Sequence, residues 1–339
     1  MIPDLSTLDT VSKLLFSIEL QPLQGARFQP TGFPSLGAAT YQTNQGTSLL
    51  VESAQSMANR LEAVCWDEVA NAPKAALAGI SYVRVERQGK YLTSSVTEAH
   101  RLNSVYIEKA NSGGFHEELK KAARYDDKKP IDRWAFVEAL LKYDVGSLVH
   151  GVFLESIAGR LRIARALSAF IEAENVRQVV SGGVKTDHIQ PGKEEEKSAK
   201  EGFGNVPFPR EEYTAEKITL FVNLDLAQIR GYGLGADVER LLALLALFKL
   251  RTLLDGDLRL RTACNLEVKD TAITATKPAG YVLPSSAELV AGLKAAIAAC
   301  KGKMVVTTVV FDDELKAKDP EKGEKDESSK DAGEEDDET

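Results

Sequence analysis

The sequence predicts an α+β protein organised around a sheet, and three observations carry that expectation. Strand-type and helix-type patterns mix along the 339 residues without strict alternation. The first strand pattern feeds a basic loop punctuated by Gly and Pro, and this loop leads straight into a helical pattern with a polar stripe. The hydrophobic share of 43% is enough to bury the core of one large domain with insertions, or of two domains.

The first strand is set by Leu14, Phe16, Ile18 and Leu20, which alternate with more polar neighbours. GARFQPTGFPSLGAATY, residues 25–41, is the loop. In LLVESAQSMANRLE, residues 49–62, a step of about 100° per residue puts Leu50, Ala54, Met57, Leu61 and Val64 on one face. Glu52, Gln55, Ser56 and Asn59 fall on the other, with Arg60 at the border. Solvated helix faces are normally rich in Lys and Glu. Uncharged hydrogen-bonding side chains beside Arg27 and Arg60 suit a surface that holds a phosphate–sugar backbone without reading bases.

Further strands are expected at residues 80–86, 166–180, 218–226, 258–266 and 304–311, and helices at 131–142, 238–254 and 286–300. Residues 186–212 carry KEEEK, Pro191, Pro207 and Pro209 without apolar periodicity, which reads as a long projecting loop between two strands.

Charge separates a body from a tail. Residues 312–339 hold 14 acidic and 5 basic side chains, so the formal charge of −8 becomes about +1 for residues 1–311. The tail has almost nothing apolar to bury and is expected to be disordered. Cys65, Cys264 and Cys300 form no framework and read as reduced core thiols of a cytoplasmic protein. No segment reads as a membrane span.

Catalytic signatures are not found. His100, His116, His150 and His188 lack paired metal spacing, and neither a nucleophile elbow nor a Walker lysine motif is present. No metal or cofactor is therefore expected. His150, in SLVHGVFL, reads as a hydrogen-bonded core or interface histidine, whereas His100 and Arg101, in EAHRLNS, suit phosphate. RGYGLGADVERLL, from Arg230, has three readings. Gly231, Gly233 and Ala236 fit a dinucleotide fingerprint, with Asp255 further on but misplaced in a turn. The same glycines suit an ordinary positive-φ turn, or a loop bringing backbone amides to a phosphate beside Arg230 and Tyr232. In LRLRTACNL, alternation puts Arg259 and Arg261 on one sheet face, where they meet either an anion or acidic neighbours. Arg160, Arg162, Arg165 and Lys185 add basic residues at strand edges and loop bases, as a distributed phosphate track requires.

FQPTGFPSLGAA, LLVESAQSMANRLE, EAHRLNS, YDVGSLVHGVFL, ARALSAFIEAENV, GGVKTD, GFGNVPFPREEYTA, LDLAQIRGYGLG and LRLRTACNLE, in this order, resemble the backbone subunit of the type I-G CRISPR effector complex. That subunit is a Cas-seven-type member of the RAMP superfamily. The resemblance spans residues 14–311. It implies a modified RRM (ferredoxin-like) palm with large insertions, at about 105–160, and a thumb-like loop at about 186–212. It also implies a non-enzymatic protein that polymerises along CRISPR guide RNA as a helical filament, with target DNA and other effector subunits as partners. Phe203, Val206 and Phe208 are the thumb side chains available to wedge between bases, and Arg210 could take the next phosphate. In related type III subunits an Asp in the loop after the first strand cleaves RNA. Residues 24–36 here contain no Asp or Glu. Two rival readings are a nucleotide-dependent enzyme using Gly231–Ala236 and a protein scaffold indifferent to RNA.

Overall fold

A computed structural model describes residues 2–33, 37–155, 157, 161–186, 205–256 and 258–313. Four antiparallel strands form its centre: β1 (Lys13–Pro22), β6 (Leu167–Glu174), β9 (Lys217–Asp225) and β11 (Cys264–Val268). Their order across the sheet is β11, β1, β9, β6. Helix α1 (Ala54–Ala63) lies between the first two in sequence, and helix α4 (Ala236–Asp255) between the last two. This is the ferredoxin-like βαββαβ arrangement. At one edge β2 (Thr40–Thr43) and β3 (Gly46–Glu52) extend the sheet, and at the other β10 (Leu258–Arg261) does so, giving seven strands.

Alternation explains the layering. Leu14, Phe16, Ile18 and Leu20 of β1, with Ile218, Leu220, Val222 and Leu224 of β9, are all buried on the helix-covered face. Helix α4 is apolar almost all round, because it lies between this sheet and helix α5 (Ser286–Ala299). Gly292 allows that packing: a Cβ there would stand 3.2 Å from Leu244 Cδ2 and 3.0 Å from Pro3 Cδ.

Between α1 and β6 the chain adds β4 (Tyr82–Arg87) and β5 (Lys90–Ser94), then a helical stretch that includes α2 (Arg133–Tyr143). Strand β12 (Val306–Val310) joins β4 in parallel to complete a second, three-stranded sheet. Asp132 caps α2 through the backbone N–H of Ala135, at 2.9 Å.

The sequence expected one strand over residues 166–180 and a loop from 186. Instead β6 ends at Glu174, Asn175 takes a positive φ of 50°, and a separate hairpin follows. Its strands are β7 (Arg177–Thr186) and β8 (Asn205–Thr214), paired from Arg177↔Thr214 to Thr186↔Asn205. Residues 187–204 lie outside the described residues, and so does the candidate Phe203. The expected strand over residues 258–266 is likewise two strands, β10 and β11, turned at Ala263 with φ of 58°.

Candidate nucleic-acid interface

The loop after β1 ties together the elements around it. Leu23 N–H donates to Asn265 O and Gln29 N–H to Ala263 O, both at 2.9 Å, joining the loop to the β10–β11 hairpin. Phe28 and Tyr213 exchange two backbone hydrogen bonds of 2.9 Å, which fix the base of the β7–β8 hairpin. Thr31 N–H donates to Val51 O of β3. Loop, hairpin base and last strands enclose a cavity of about 250 Å³ lined by Gln24, Arg27, Glu212 and Asn265 among others.

Glu52 holds this assembly from beneath. The helical reading placed it on the polar face of α1, but β3 runs through Glu52, and Ser53 caps a helix that starts at Ala54. The Glu52 side chain is 2% exposed. It accepts from Ser56 Oγ, from Arg60 Nε at 3.1 Å and from Arg261 Nη2. The remaining donors of both arginines go to backbone: Arg60 to the carbonyls of Arg259 and Leu260, and Arg261 to Gln29 O at 3.0 Å. Ser56, Arg60 and Arg261, expected to meet phosphate, are thus first of all partners of a buried carboxylate. The two arginine side chains keep about a quarter of their surface exposed, 26% and 22%. Glu52 serves as the acidic neighbour that the alternation of Arg259 and Arg261 left open.

Exposed around this cluster stand Gln55 and Asn59 of α1, Arg259 of β10 and Arg27 of the loop. Arg27 pairs with the buried Glu212 at 3.1 Å, which leaves more than half of its own side chain exposed. Along the hairpin, positions 181, 183 and 185 oppose 210, 208 and 206. Lys185, Val206, Phe208 and Arg210 therefore occupy positions on one face of the ribbon, continuous with Glu212 and its partner Arg27.

Three other expected contacts are corrected. Arg101 is buried, and its Nε and Nη2 donate to the two carboxylate oxygens of Glu62. Burial pushes the Glu62 carboxyl up to about 7 against the pull of Arg101 and Lys249. No phosphate reaches that guanidinium. Tyr232 is 5% exposed and donates to Leu148 O at 2.9 Å, and Arg230 donates to Val11 O at 2.7 Å and to Leu8 O. The glycine run follows a short helix, α3 (Leu226–Gly231), rather than a strand, so the dinucleotide fingerprint fails on context. Gly233 and Gly235 take positive φ, 67° and 91°, as a helix–helix turn requires. His100 is exposed, but no contact among the described residues joins it to the Glu52 group. His150 is buried as expected, but the hydrogen bonds expected of it are not found: neither ring nitrogen has a partner among the described residues, and burial together with Lys249, Arg101 and Arg165 lowers its pKa well below the usual histidine value. All three cysteines are buried free thiols.

Sequence reading missed an aromatic pair. Phe170 and Phe221 stack on the sheet face opposite the helices, with centroids 5.2 Å apart. In the same face Glu19 and Glu172 flank Thr219, and Glu174 follows. An RRM stacks bases at such a place, but on this face Lys269 pairs with Glu19, Lys217 lies opposite Glu174, and Glu172 adds a further negative charge. The alternation in LSAFIEAE was the available signal. The Arg27–Arg259 side, not the open sheet face, has the chemistry for a polyanion.

The family described as CRISPR-associated protein GSU0053 matches residues 14–178, slightly less than half of the chain. A chain of a structure described as a CRISPR RNA-guided surveillance complex, pre-nicking, is 13% identical, with 70% of this chain and 71% of that chain covered and a TM-score of 0.36. Csc2 of Thermofilum pendens is 10% identical, with 87% and 74% covered and a TM-score of 0.30. No curated protein sequence matches it. Among the described residues no helix is long and apolar enough to cross a membrane.

Proposed function

We propose that this protein is a backbone subunit of a CRISPR effector complex, of the type I-G kind that its sequence resembles, and that copies of it line up along a guide RNA. The family match over residues 14–178 supports the CRISPR assignment. The observation that carries RNA binding is the surface on which Arg27, Gln55, Asn59 and Arg259 surround two partly exposed arginine side chains locked on Glu52. Cations and amides grip a backbone and ignore base identity, as a guide of any sequence demands. Replacing Arg27 and Arg259 together by Ala is expected to weaken RNA binding about tenfold at 0.1 M salt, and to flatten the log–log salt slope by about 1.4, two phosphate contacts of single strand. Fluorescence anisotropy over a salt series checks both values. An unchanged slope removes these residues from the interface.

The subunit acts as a scaffold in this reading. Glu52 is enclosed and doubly paired, a poor position for a carboxylate that would hold a divalent metal at a scissile phosphate. The acidic tail competes with nucleic acid for the basic surface. Truncation that removes residues 312–339 takes away nine net negative charges and is expected to raise affinity for random RNA at low salt, with little change above about 0.5 M. Binding isotherms at the two salt concentrations test this.

A further inference from the structure

Six edges bound the seven-stranded sheet, the three-stranded sheet and the β7–β8 hairpin, and the chain treats them unequally. Beside β10 the Arg60 guanidinium takes the carbonyls of Arg259 and Leu260. Asn111 Oδ1 accepts the Val310 N–H of β12, at 2.9 Å. Strand β5 starts at Lys90, and Thr97 Oγ1 takes its Ser94 N–H at 3.0 Å.

The outer edge of β8 is closed covalently. In an antiparallel pair, alternate residues point N–H and C=O away from the partner strand. Tyr213 bonds Phe28 rather than β7, so position 213 points outward, and 211, 209 and 207 share its parity. Two of these are Pro207 and Pro209, which have no N–H to offer. Proline at such positions blocks strand addition without weakening the hairpin.

Among the described residues, two edges have no such protection. On β7 the outward positions are 178, 180, 182 and 184, opposite 213, 211, 209 and 207. They read Gln, Val, Gly, Val, and Val180 is 91% exposed and Val184 61%. No Lys, Pro, Asp or Glu lies between 178 and 184. On β2 the residues are Thr40, Tyr41, Gln42 and Thr43, all exposed and uncharged, at the outer edge of the large sheet.

We propose that the β7 edge of one copy pairs with the β2 edge of a second copy by strand addition. The occupant follows from chemistry. Residues 178–184 offer no cation to a nucleic acid, whereas an uncharged edge with unpaired backbone groups suits another strand. Because β8 is closed, each hairpin contacts on one side only; pairing β7 with β7 would close a two-copy unit, whereas β2, the other open edge, lets the contact repeat from copy to copy. Such a heterologous contact repeats without closing on itself. The proposal rests on the reading of the chain as a repeating subunit and names the surface that repeats.

Two single-cysteine variants test it, Val180→Cys and Gln42→Cys, since Cys65, Cys264 and Cys300 are buried and give no background. The two are mixed in equal amounts with diamide as oxidant, alone and on a long RNA. A disulfide joining position 180 of one copy to position 42 of another is expected, and enrichment of the 180–180 product alone, or no intermolecular product, overturns the pairing. In parallel, Val180→Lys, with Gly182→Pro as a second variant, is expected to keep the parent's circular dichroism and its affinity for an RNA that holds one copy. Assembly on long RNA, followed by sedimentation, is expected to be lost. Undiminished assembly by both variants overturns the edge contact. If the parent itself ignores RNA, the functional reading falls, and the crosslink measured without RNA still decides the pairing.

Discussion

Replacing Arg101 by Met is expected to destabilise the protein by about 3–5 kcal/mol, the cost of leaving one member of a buried ion pair alone. Glu62 has no other hydrogen-bond donor among the described residues, and it stands in a buried group with Asp144, Lys249 and the unpartnered ring of His150. The loss would appear as a fall in melting temperature of roughly 10 °C. The double variant Arg101→Met with Glu62→Gln is expected to recover much of it, because no buried charge is then stranded. RNA affinity of the folded single variant should match the parent at low temperature. A single variant with parental melting temperature would show that the pair is solvent-relaxed, and a selective loss of RNA affinity would return Arg101 to the interface.

Glu52→Ala is the second large effect, and it reaches both stability and binding. One carboxylate accepts from Ser56, Arg60 and Arg261, which belong to α1 and β10, and through Arg261 it also positions the loop at Gln29. Without it, two guanidiniums face each other across a site they share. The expected loss is about 3 kcal/mol in calorimetry. Bound RNA phosphate can replace the missing anion, so the variant should gain more thermal stabilisation from RNA than the parent does. A catalytic Glu52 makes the opposite forecast. Incubating the RNA-loaded parent with matched RNA and DNA plus Mg²⁺ or Mn²⁺ would yield regularly spaced cleavage that Glu52→Ala abolishes. No cleavage by either protein is the expected outcome.

Periodicity made the centre of the fold legible. Leu14 to Leu20 alternate cleanly, and helices expected at residues 131–142, 238–254 and 286–300 are found at Arg133–Tyr143, Ala236–Asp255 and Ser286–Ala299. The two strands of the hairpin were not legible in the residue pattern, for an identifiable reason. Pro207 and Pro209 look like strand breakers, yet alternate prolines fit an edge whose N–H groups point outward. Glu52 was misplaced because the helical stripe was extended back through Ser53, although Ser followed by a helical run is an N-cap signal.

At the site, residue type was readable and direction was not. Arg27, Gln55, Asn59 and Arg259 are on the surface as their local patterns suggest. Arg101 and Arg230 turn inward because their partners, Glu62 and the carbonyls of Leu8 and Val11, lie far away in sequence. Nothing near an arginine in sequence reveals such a partner. The stacked Phe170 and Phe221 needed the strand register before they could be placed together.

The central claim is that this chain holds RNA by its backbone, without regard to sequence. The most direct measurement is the affinity of the purified protein for two guide RNAs of equal length with unrelated spacers, from about 0.05 to about 0.5 M salt. Equal affinities at every salt concentration, falling steeply along one common log–log line, are the predicted result. A large difference between the two guides at matched salt, or binding indifferent to salt, would contradict it.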